Sequence, residues 1–318
     1  MRNNAFITDL LLKRRSSSLY RIALIGVQLS LLVITIDAAS PVDSLTIFRG
    51  SKGLWAQQGR DNDSGFSVVK LGTKNDVPLN GDFDGDGYID PAIWRSSTAS
   101  ALIWKTSEAV VVEIAFEIAS KIFAGKAVSA DLDGDGKSDL TLFDPETGNW
   151  HVLFAKSGFS QETSLTFCWG QMGDVPVPAD HDGDGRADFA VFRPSEQSWH
   201  IFESRSQRSL SIVFPAKTGE YLVPADYNGD GRADIAVFGK GYWRILYSTS
   251  GKTEAFVFGQ ASAIPVPADY DGDGETDFAV WNEGTWYFYE SSKPGLSAVR
   301  FGEPGDVPIT LRQVRKIE

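Results

Sequence analysis

The chain has 318 residues, enough to bury a substantial core in one large domain or two ordinary ones. Its 9 Trp, 9 Tyr and 20 Phe, set among 31 Gly and 14 Pro, favour an all-β protein rich in turns. A formal net charge of −12 excludes the basic footprint that nucleic-acid phosphates require, and a single cysteine, Cys168, excludes an intrachain disulfide framework.

In chain order, the first forty residues differ from the rest. Arg2, Lys13, Arg14, Arg15 and Arg21 precede the apolar run "IALIGVQLSLLVITI" at 22–36. A charged start before such a run is the layout of a secretory signal, and Ala38-Ala39-Ser40 supplies small residues for cleavage. Counted from Leu19 to residue 36, the stretch is also long enough for an uncleaved anchor helix. Either form exports the downstream chain, so residues 1–40 are expected to be a signal peptide or signal anchor. Residues 41–318 are expected to work outside the cell or at its surface, touching a membrane only through 19–36.

Next come "LTIFRGSKGLWAQQG" (45–59) and "GFSVVKLG" (65–72), strand-like runs without a leading partner. Five acidic turns come after them: "DFDGDGYID" (82–90), "DLDGDGKSD" (131–139), "DHDGDGRAD" (180–188), "DYNGDGRAD" (226–234) and "DYDGDGETD" (269–277). Nineteen of the chain's aspartates lie in these loops, where like charges resist ionisation unless a cation joins them. Oxygen ligands at positions 1, 3 and 5, a glycine at 6, a backbone carbonyl at 7 and a later carboxylate suit Ca²⁺. An EF-hand needs a glutamate at position 12, where this chain has Ile93, Leu142, Val191, Val237 and Val280. The loop therefore closes earlier, through Asp90, Asp139, Asp188, Asp234 and Asp277. About five calcium ions are expected, and most of the acidity is a metal inventory.

Each loop runs into a short apolar segment such as "DFAVF" (188–192) or "DIAVF" (234–238), a buried strand, so each loop is a hairpin tip. The loops begin at intervals of 49, 49, 46 and 43 residues, one four-stranded propeller blade per interval. Strand A, as in "DVPVPAD" (174–180), carries recurrent prolines at 78, 176, 178, 224, 265, 267 and 308, which place it on an edge facing the central channel. Strand C carries a tryptophan, as in "SWHIFES" (198–204), expected to fill the space between blades and not to stack on sugars. Strand D ends near Phe-Gly, as in "EAFVFG" (254–259). Residues 45–72 match strands B, C and D, and "EPGDVPITLRQVRKIE" (303–318) matches a strand A without a loop. Together these halves make a sixth blade that closes the ring and removes its open edges.

The "DxDGDGxxD" loops, the "DFAVF" strands and the closing "FG" resemble the FG-GAP/VCBS repeat proteins, relatives of the integrin α-subunit propeller, over residues 45–318. The resemblance implies a calcium-stabilised propeller in a secreted or surface protein, serving adhesion, carbohydrate binding or, less often, part of an enzyme. It implies metal ligands Asp82, Asp84, Asp86 and Asp90 with the Tyr88 carbonyl, and Asp131, Asp133, Asp135 and Asp139 with that of Lys137. The third set is Asp180, Asp182, Asp184 and Asp188 with the Arg186 carbonyl. The fourth is Asp226, Asn228, Asp230 and Asp234 with Arg232, and the fifth Asp269, Asp271, Asp273 and Asp277 with Glu275. The chain departs from the pattern at Asn228, at "KAVSAD" (126–131), which lacks the Val-Pro pair, and at Pro91.

The expected function is a monomeric, non-catalytic recognition or adhesion module for a protein or glycan. The alternative is a lectin or a polysaccharide-active enzyme such as a lyase. His151 and His200 sit beside strand-C tryptophans, His181 at a non-ligand loop position, and no nucleophile-elbow, zinc or phosphate-loop motif is present. Opposite the loops, Arg49, Arg95 and Arg193 and the aspartates 76, 174 and 306 are expected to form ion pairs tying neighbouring blades.

Overall fold

The computed structural model describes residues 21–23, 33–36, 44–59, 66–117, 125–293, 295–310 and 314–318. Their strands form six antiparallel sheets, the six blades of a β-propeller. Blade 1 comprises Val77–Leu79, Ala92–Arg95, Ser100–Lys105 and Val110–Ala115. Blade 2 comprises Lys126–Ala130, Asp139–Phe143, Asn149–Leu153 and Leu165–Cys168. Blade 3 runs Val175–Pro176, Phe189–Arg193, Ser198–Phe202 and Ser209–Val213. Blade 4 runs Tyr221–Leu222, Ile235–Gly239, Tyr242–Leu246 and Thr253–Val257. Blade 5 runs Ile264–Pro265, Phe278–Asn282, Thr285–Tyr289 and Leu296–Arg300. Blade 6 joins the two chain ends: Val307–Ile309 pairs with Leu45–Arg49, followed by Leu54–Gln58 and Phe66–Lys70.

Proline sets the length of the inner strands. In blade 3 the Val177 N–H donates to Ala190 O at 2.8 Å, while the prolines on either side, at 176 and 178, lack an N–H to lose. The regular ladder therefore shrinks to two residues, resuming at the bridge Ala179↔Asp188. In blade 2, where "KAVSA" has no proline, the inner strand pairs over all five residues.

The core is divided among the blade interfaces. Blade 3's second strand shows why "FAVF" is apolar at every position. Phe189 and Val191 pack toward blade 2, and Ala190 and Phe192 toward blade 4. Trp55, Trp150, Trp199, Trp243 and Trp286 are all fully buried at such interfaces, as expected of core side chains. Blade 1 exchanges the pair: Trp94 lies on its second strand opposite Ala101 on its third. A cluster of Phe48, Trp55, Ile93 and Trp104 joins blade 6 to blade 1, so the ring is closed by packing as well as by hydrogen bonds.

The Phe-Gly signal also has a physical basis. The indole N–H of Trp243 donates to Phe258 O at 3.0 Å, and that of Trp286 to Phe301 O at 2.9 Å. The following Gly259 has φ 104°, and a Cβ there would lie 3.1 Å from Val280 Cγ1 of the next blade.

The leader or anchor helix over 1–40 falls mostly outside the described residues. The two described pieces, Arg21–Ala23 and Val33–Ile36, are strands added to the outer edge of blade 6, where β-branched "VITI" pairs with Phe66–Lys70. Among the described residues no helix is long and apolar enough to cross a membrane.

The C-terminal tail does more than close blade 6. Arg315–Lys316 pairs with Tyr221–Leu222, the inner strand of blade 4, which is thus covered and does not face an open channel. Ile317 is buried in the cluster between blades 3 and 4, and Arg315 Nη2 donates to Ala127 O of blade 2 at 2.9 Å. The tail therefore reaches blades 2, 3 and 4 at the channel end opposite the acidic loops.

Candidate metal loops

Each acidic loop is first a hydrogen-bonded turn. Asp180 caps its own loop: Oδ1 accepts from the N–H groups of Gly183 (2.7 Å) and Asp184 (3.2 Å), and Oδ2 from Gly185 (2.9 Å). Asp184 Oδ1 accepts from Arg186 N at 2.9 Å. Gly183 and Gly185 hold φ of 75° and 84°, a backbone that only glycine adopts at low cost. Asp82, Asp131, Asp226 and Asp269 cap their loops in the same way.

Carboxylate oxygens of positions 1, 3 and 5 converge within 4.8 Å of one another in three loops: Asp82, Asp84 and Asp86; Asp180, Asp182 and Asp184; Asp269, Asp271 and Asp273. In the second loop the convergent set is Asp131, Asp133 and Asp139; Asp135 accepts from Lys137 N, as the position-5 aspartates of the other loops do from their position-7 N–H groups. In the fourth, Asn228 Oδ1 accepts from Asp230 N at 3.0 Å, and Asp230 accepts from Arg232 N at 3.0 Å. The position-7 residues Tyr88 and Glu275 likewise donate their N–H groups to Asp86 and Asp273.

The position-9 aspartates have a second task. Asp90, Asp139, Asp188, Asp234 and Asp277 are all fully buried. In Asp188, Oδ2 accepts from His181 N at 2.9 Å and Oδ1 from Ser204 N at 2.8 Å, so the side chain ties the loop to the turn between the third and fourth strands. The other four repeat this bridge to Thr106, Ala155, Ser248 and Ser291. Burial pushes the carboxyls of Asp90, Asp139 and Asp188 up to about 7 and that of Asp234 up to about 6, with loop aspartates adding to the rise.

That third-to-fourth-strand turn also covers the loop, which sequence reasoning missed. Ser107 and Thr106 donate to Asp84 and Asp86 at 2.7 and 2.8 Å. Ser292 and Ser291 do the same for Asp271 and Asp273 at 2.5 and 2.8 Å. In blade 2 a lysine takes this place, with Lys156 Nζ 2.5 Å from Asp133 Oδ2. The signal available was the recurrence of a hydroxyl pair, "TS" at 106–107 and "SS" at 291–292.

The loops are also laced to one another. The N–H groups of Ser138, Ala187 and Ala233 donate to the carbonyls of Asp82, Asp131 and Asp180, each at 2.6 Å, and Thr276 N donates to Asp226 O at 2.8 Å. Position 8 of each loop thus bonds position 1 of the loop before it, forming a continuous arc across five blades.

The donor set fits a hard cation. Among the described residues, Asp133 Oδ1, Asp182 Oδ1, Asp184 Oδ2 and Asp271 Oδ1 are buried with no hydrogen-bond partner. Such oxygens are costly unless a cation joins them, and the all-oxygen chemistry matches calcium.

On the opposite face the expected ion pairs are present, but each lies within one blade. Arg193 holds Asp174 through two bonds of 2.9 Å, Arg95 holds Asp76 at 3.0 and 2.8 Å, and Arg49 holds Asp306 at 2.6 and 2.7 Å. The aspartates also accept from Gln171, Thr73 and Glu303 N–H groups, which pins the connection from the preceding blade. The pairs fix where one blade ends and the next begins, and do not bridge two sheets. Among the histidines, His181 is buried against Ala233 O and pushed down to about 4 by burial; His200 lies between Ser198 and Ser211, and His151 meets Thr166.

Six closed blades with laced acidic hairpin tips at one end define a β-propeller of the acidic-loop repeat class. The FG-GAP-like repeat model matches residues 131–191 and 226–280, so these blades carry FG-GAP-like repeats. No curated protein sequence matches it. Among solved structures it is similar to an Agrocybe aegerita lectin that recognises non-reducing terminal N-acetylglucosamine, with 14% identity, a TM-score of 0.55, and coverage of 88% of this chain and 100% of that one. It is also similar to TolB from Acinetobacter baumannii, with 10% identity, a TM-score of 0.55, and coverage of 84% of this chain and 66% of that one. At these identities the likeness shows the fold alone.

Proposed function

We propose that the chain is an exported, calcium-stabilised propeller acting as a monomeric, non-catalytic recognition or adhesion module for a protein or glycan. The observation that carries the calcium reading is the set of buried, unpartnered carboxylate oxygens converging in the loop tips. Bound there, calcium supplies positive charge that holds each hairpin tip against its neighbours. The chain's own residues set the rest of the geometry: position 1 caps the turn, position 9 anchors it, and position 8 links it to the preceding loop. Recognition is supported by the rigidity of both faces, where short turns are fixed by ion pairs and laced loops, as a binding surface requires. Export is supported by the basic and apolar layout of residues 1–40.

The second reading is a lectin or polysaccharide-active enzyme on the same scaffold. The propeller fold shared with the Agrocybe aegerita lectin favours its glycan-binding form, as an analogy of fold. Glycan-array binding with calcium and with EGTA, run beside lyase assays on uronate polymers, separates the two. Saturable binding without turnover is the expected result. Unsaturated products from a uronate polymer would overturn the non-catalytic reading.

A further inference from the structure

The residue after each position-9 anchor decides what covers the loop. The anchoring N–H groups belong to Thr106, Ala155 and Ser291 in blades 1, 2 and 5. The next residues are Ser107, Lys156 and Ser292, and each reaches Oδ2 of the position-3 aspartate: Asp84 at 2.7 Å, Asp133 at 2.5 Å and Asp271 at 2.5 Å. Two of these covers are neutral hydroxyls, which can turn a lone pair toward a cation. The third is a full positive charge. Its neighbour Ala155 also lacks the hydroxyl that Thr106 and Ser291 supply.

The lysine is held over its loop. Lys156 lies in the 3₁₀ turn Ala155–Ser157, where Gly158 N donates to Ala155 O at 2.9 Å and Ser157 Oγ to Phe154 O at 3.0 Å. Its ammonium stands 5.3 Å from the centroid of the Phe154 ring. It faces Asp133, Asp135 and Asp139, two of which belong to the convergent set of this loop. The Asp133 side chain is only 9% exposed, and its Oδ1 is buried with no hydrogen-bond partner. One carboxylate thus carries an ammonium on Oδ2 and keeps Oδ1 open to an ion. An ammonium and a divalent cation on the same carboxylate repel each other, so they compete for it.

We propose that Lys156 is a tethered counter-cation that gates the second loop. It neutralises Asp133 when no divalent ion is bound and must swing aside to admit one, which holds the affinity of this loop below what its carboxylates alone would give. This rests on the calcium reading above, and the test separates the two. Calcium isotherms are measured by equilibrium dialysis on wild type, K156M, K156R, D133N, K156M/D133N and K217M. K156M is expected to tighten one binding step roughly tenfold, since a single charge beside a divalent ion costs about that much even at water-like screening. K156R keeps the charge and should match wild type. In the D133N background, the Lys156 substitution should have no further effect, because its partner is gone. K217M, which removes a positive charge on the opposite face, should match wild type. If wild type binds calcium and K156M binds it identically, the role of Lys156 is refuted while the calcium reading stands. Equal tightening in K217M would reduce the effect to net charge and overturn the proposal. If wild type binds no calcium, both readings fail. Should D133N not fold, K156R decides: a wild-type isotherm supports the gate, and tightening like that of K156M overturns it.

Discussion

Ile317→Ala is a sharp probe of the C-terminal tail, because the side chain has no role in closing blade 6. Ile317 is 3% exposed and packs with Val175, Val177, Leu222 and Val237 between blades 3 and 4. Its N–H donates to Glu220 O at 2.9 Å, and its carbonyl accepts from Gly219 N at 2.8 Å. Truncating a buried isoleucine to alanine costs about 2–5 kcal/mol when the surroundings stay in place. In a terminal tail the loss is capped at the tail's whole docking free energy, because a released tail can cost no more. Burial of the isoleucine contributes about 2–3 kcal/mol and the two backbone bonds about 1 kcal/mol each, opposed by the entropy of ordering the segment. The net loss is then near 2 kcal/mol, or roughly 4–8 °C in Tm for a large domain. Urea unfolding monitored by tryptophan fluorescence measures it, with the exposed Glu318→Gln as a control expected to shift stability by under about 0.5 kcal/mol. A wild-type urea midpoint for Ile317→Ala would refute docking of the tail on blade 4.

Trp199→Ala should cost about 3–5 kcal/mol, since the indole is fully buried between blades 3 and 4; a ligand-binding loss with unchanged stability would contradict its place in the core. The pH response of calcium-free protein is set by the position-9 aspartates, whose folded values of about 7 and about 6 lie above the ordinary 3.8. Between those values the folded state binds more protons than the unfolded, so stability in EGTA falls as pH rises through that window. Urea midpoints at about pH 5 and about pH 8 test the sign, and a midpoint in EGTA that rises with pH would refute it. With calcium present the slope should flatten, because the ion favours the ionised carboxylates.

Much of this architecture was legible because it repeats. Five copies of a nine-residue template at nearly constant intervals identified the hairpin tips, and complementary chain ends identified the sixth blade. The strand-C tryptophans were read correctly as core because a fully buried indole leaves its mark as one aromatic at a fixed place in five of the six blades, blade 1 alone moving its tryptophan to the second strand. The arc of bonds from Ser138 to Asp82 and its successors was not legible, since each spans two repeats and uses backbone groups that every residue carries. The Arg193–Asp174 pair was foreseen from residue type and face, but its confinement to one blade depends on register, which composition does not encode. The path of Arg315–Lys316 onto blade 4 had no signal either, because two residues pairing across a channel form no period.

If calcium holds the loop arc, stability must depend on it, and the melting temperature in millimolar calcium against EGTA measures that dependence. Extracellular oxygen-ligand sites bind with Kd of about 10⁻⁴–10⁻³ M, so each contributes about 0.4–1.4 kcal/mol at such concentrations. Five together give roughly 2–7 kcal/mol, a large share of a domain's stability. The prediction is a Tm that falls by several degrees in EGTA and returns when calcium is restored. An identical Tm in calcium and in EGTA would contradict it.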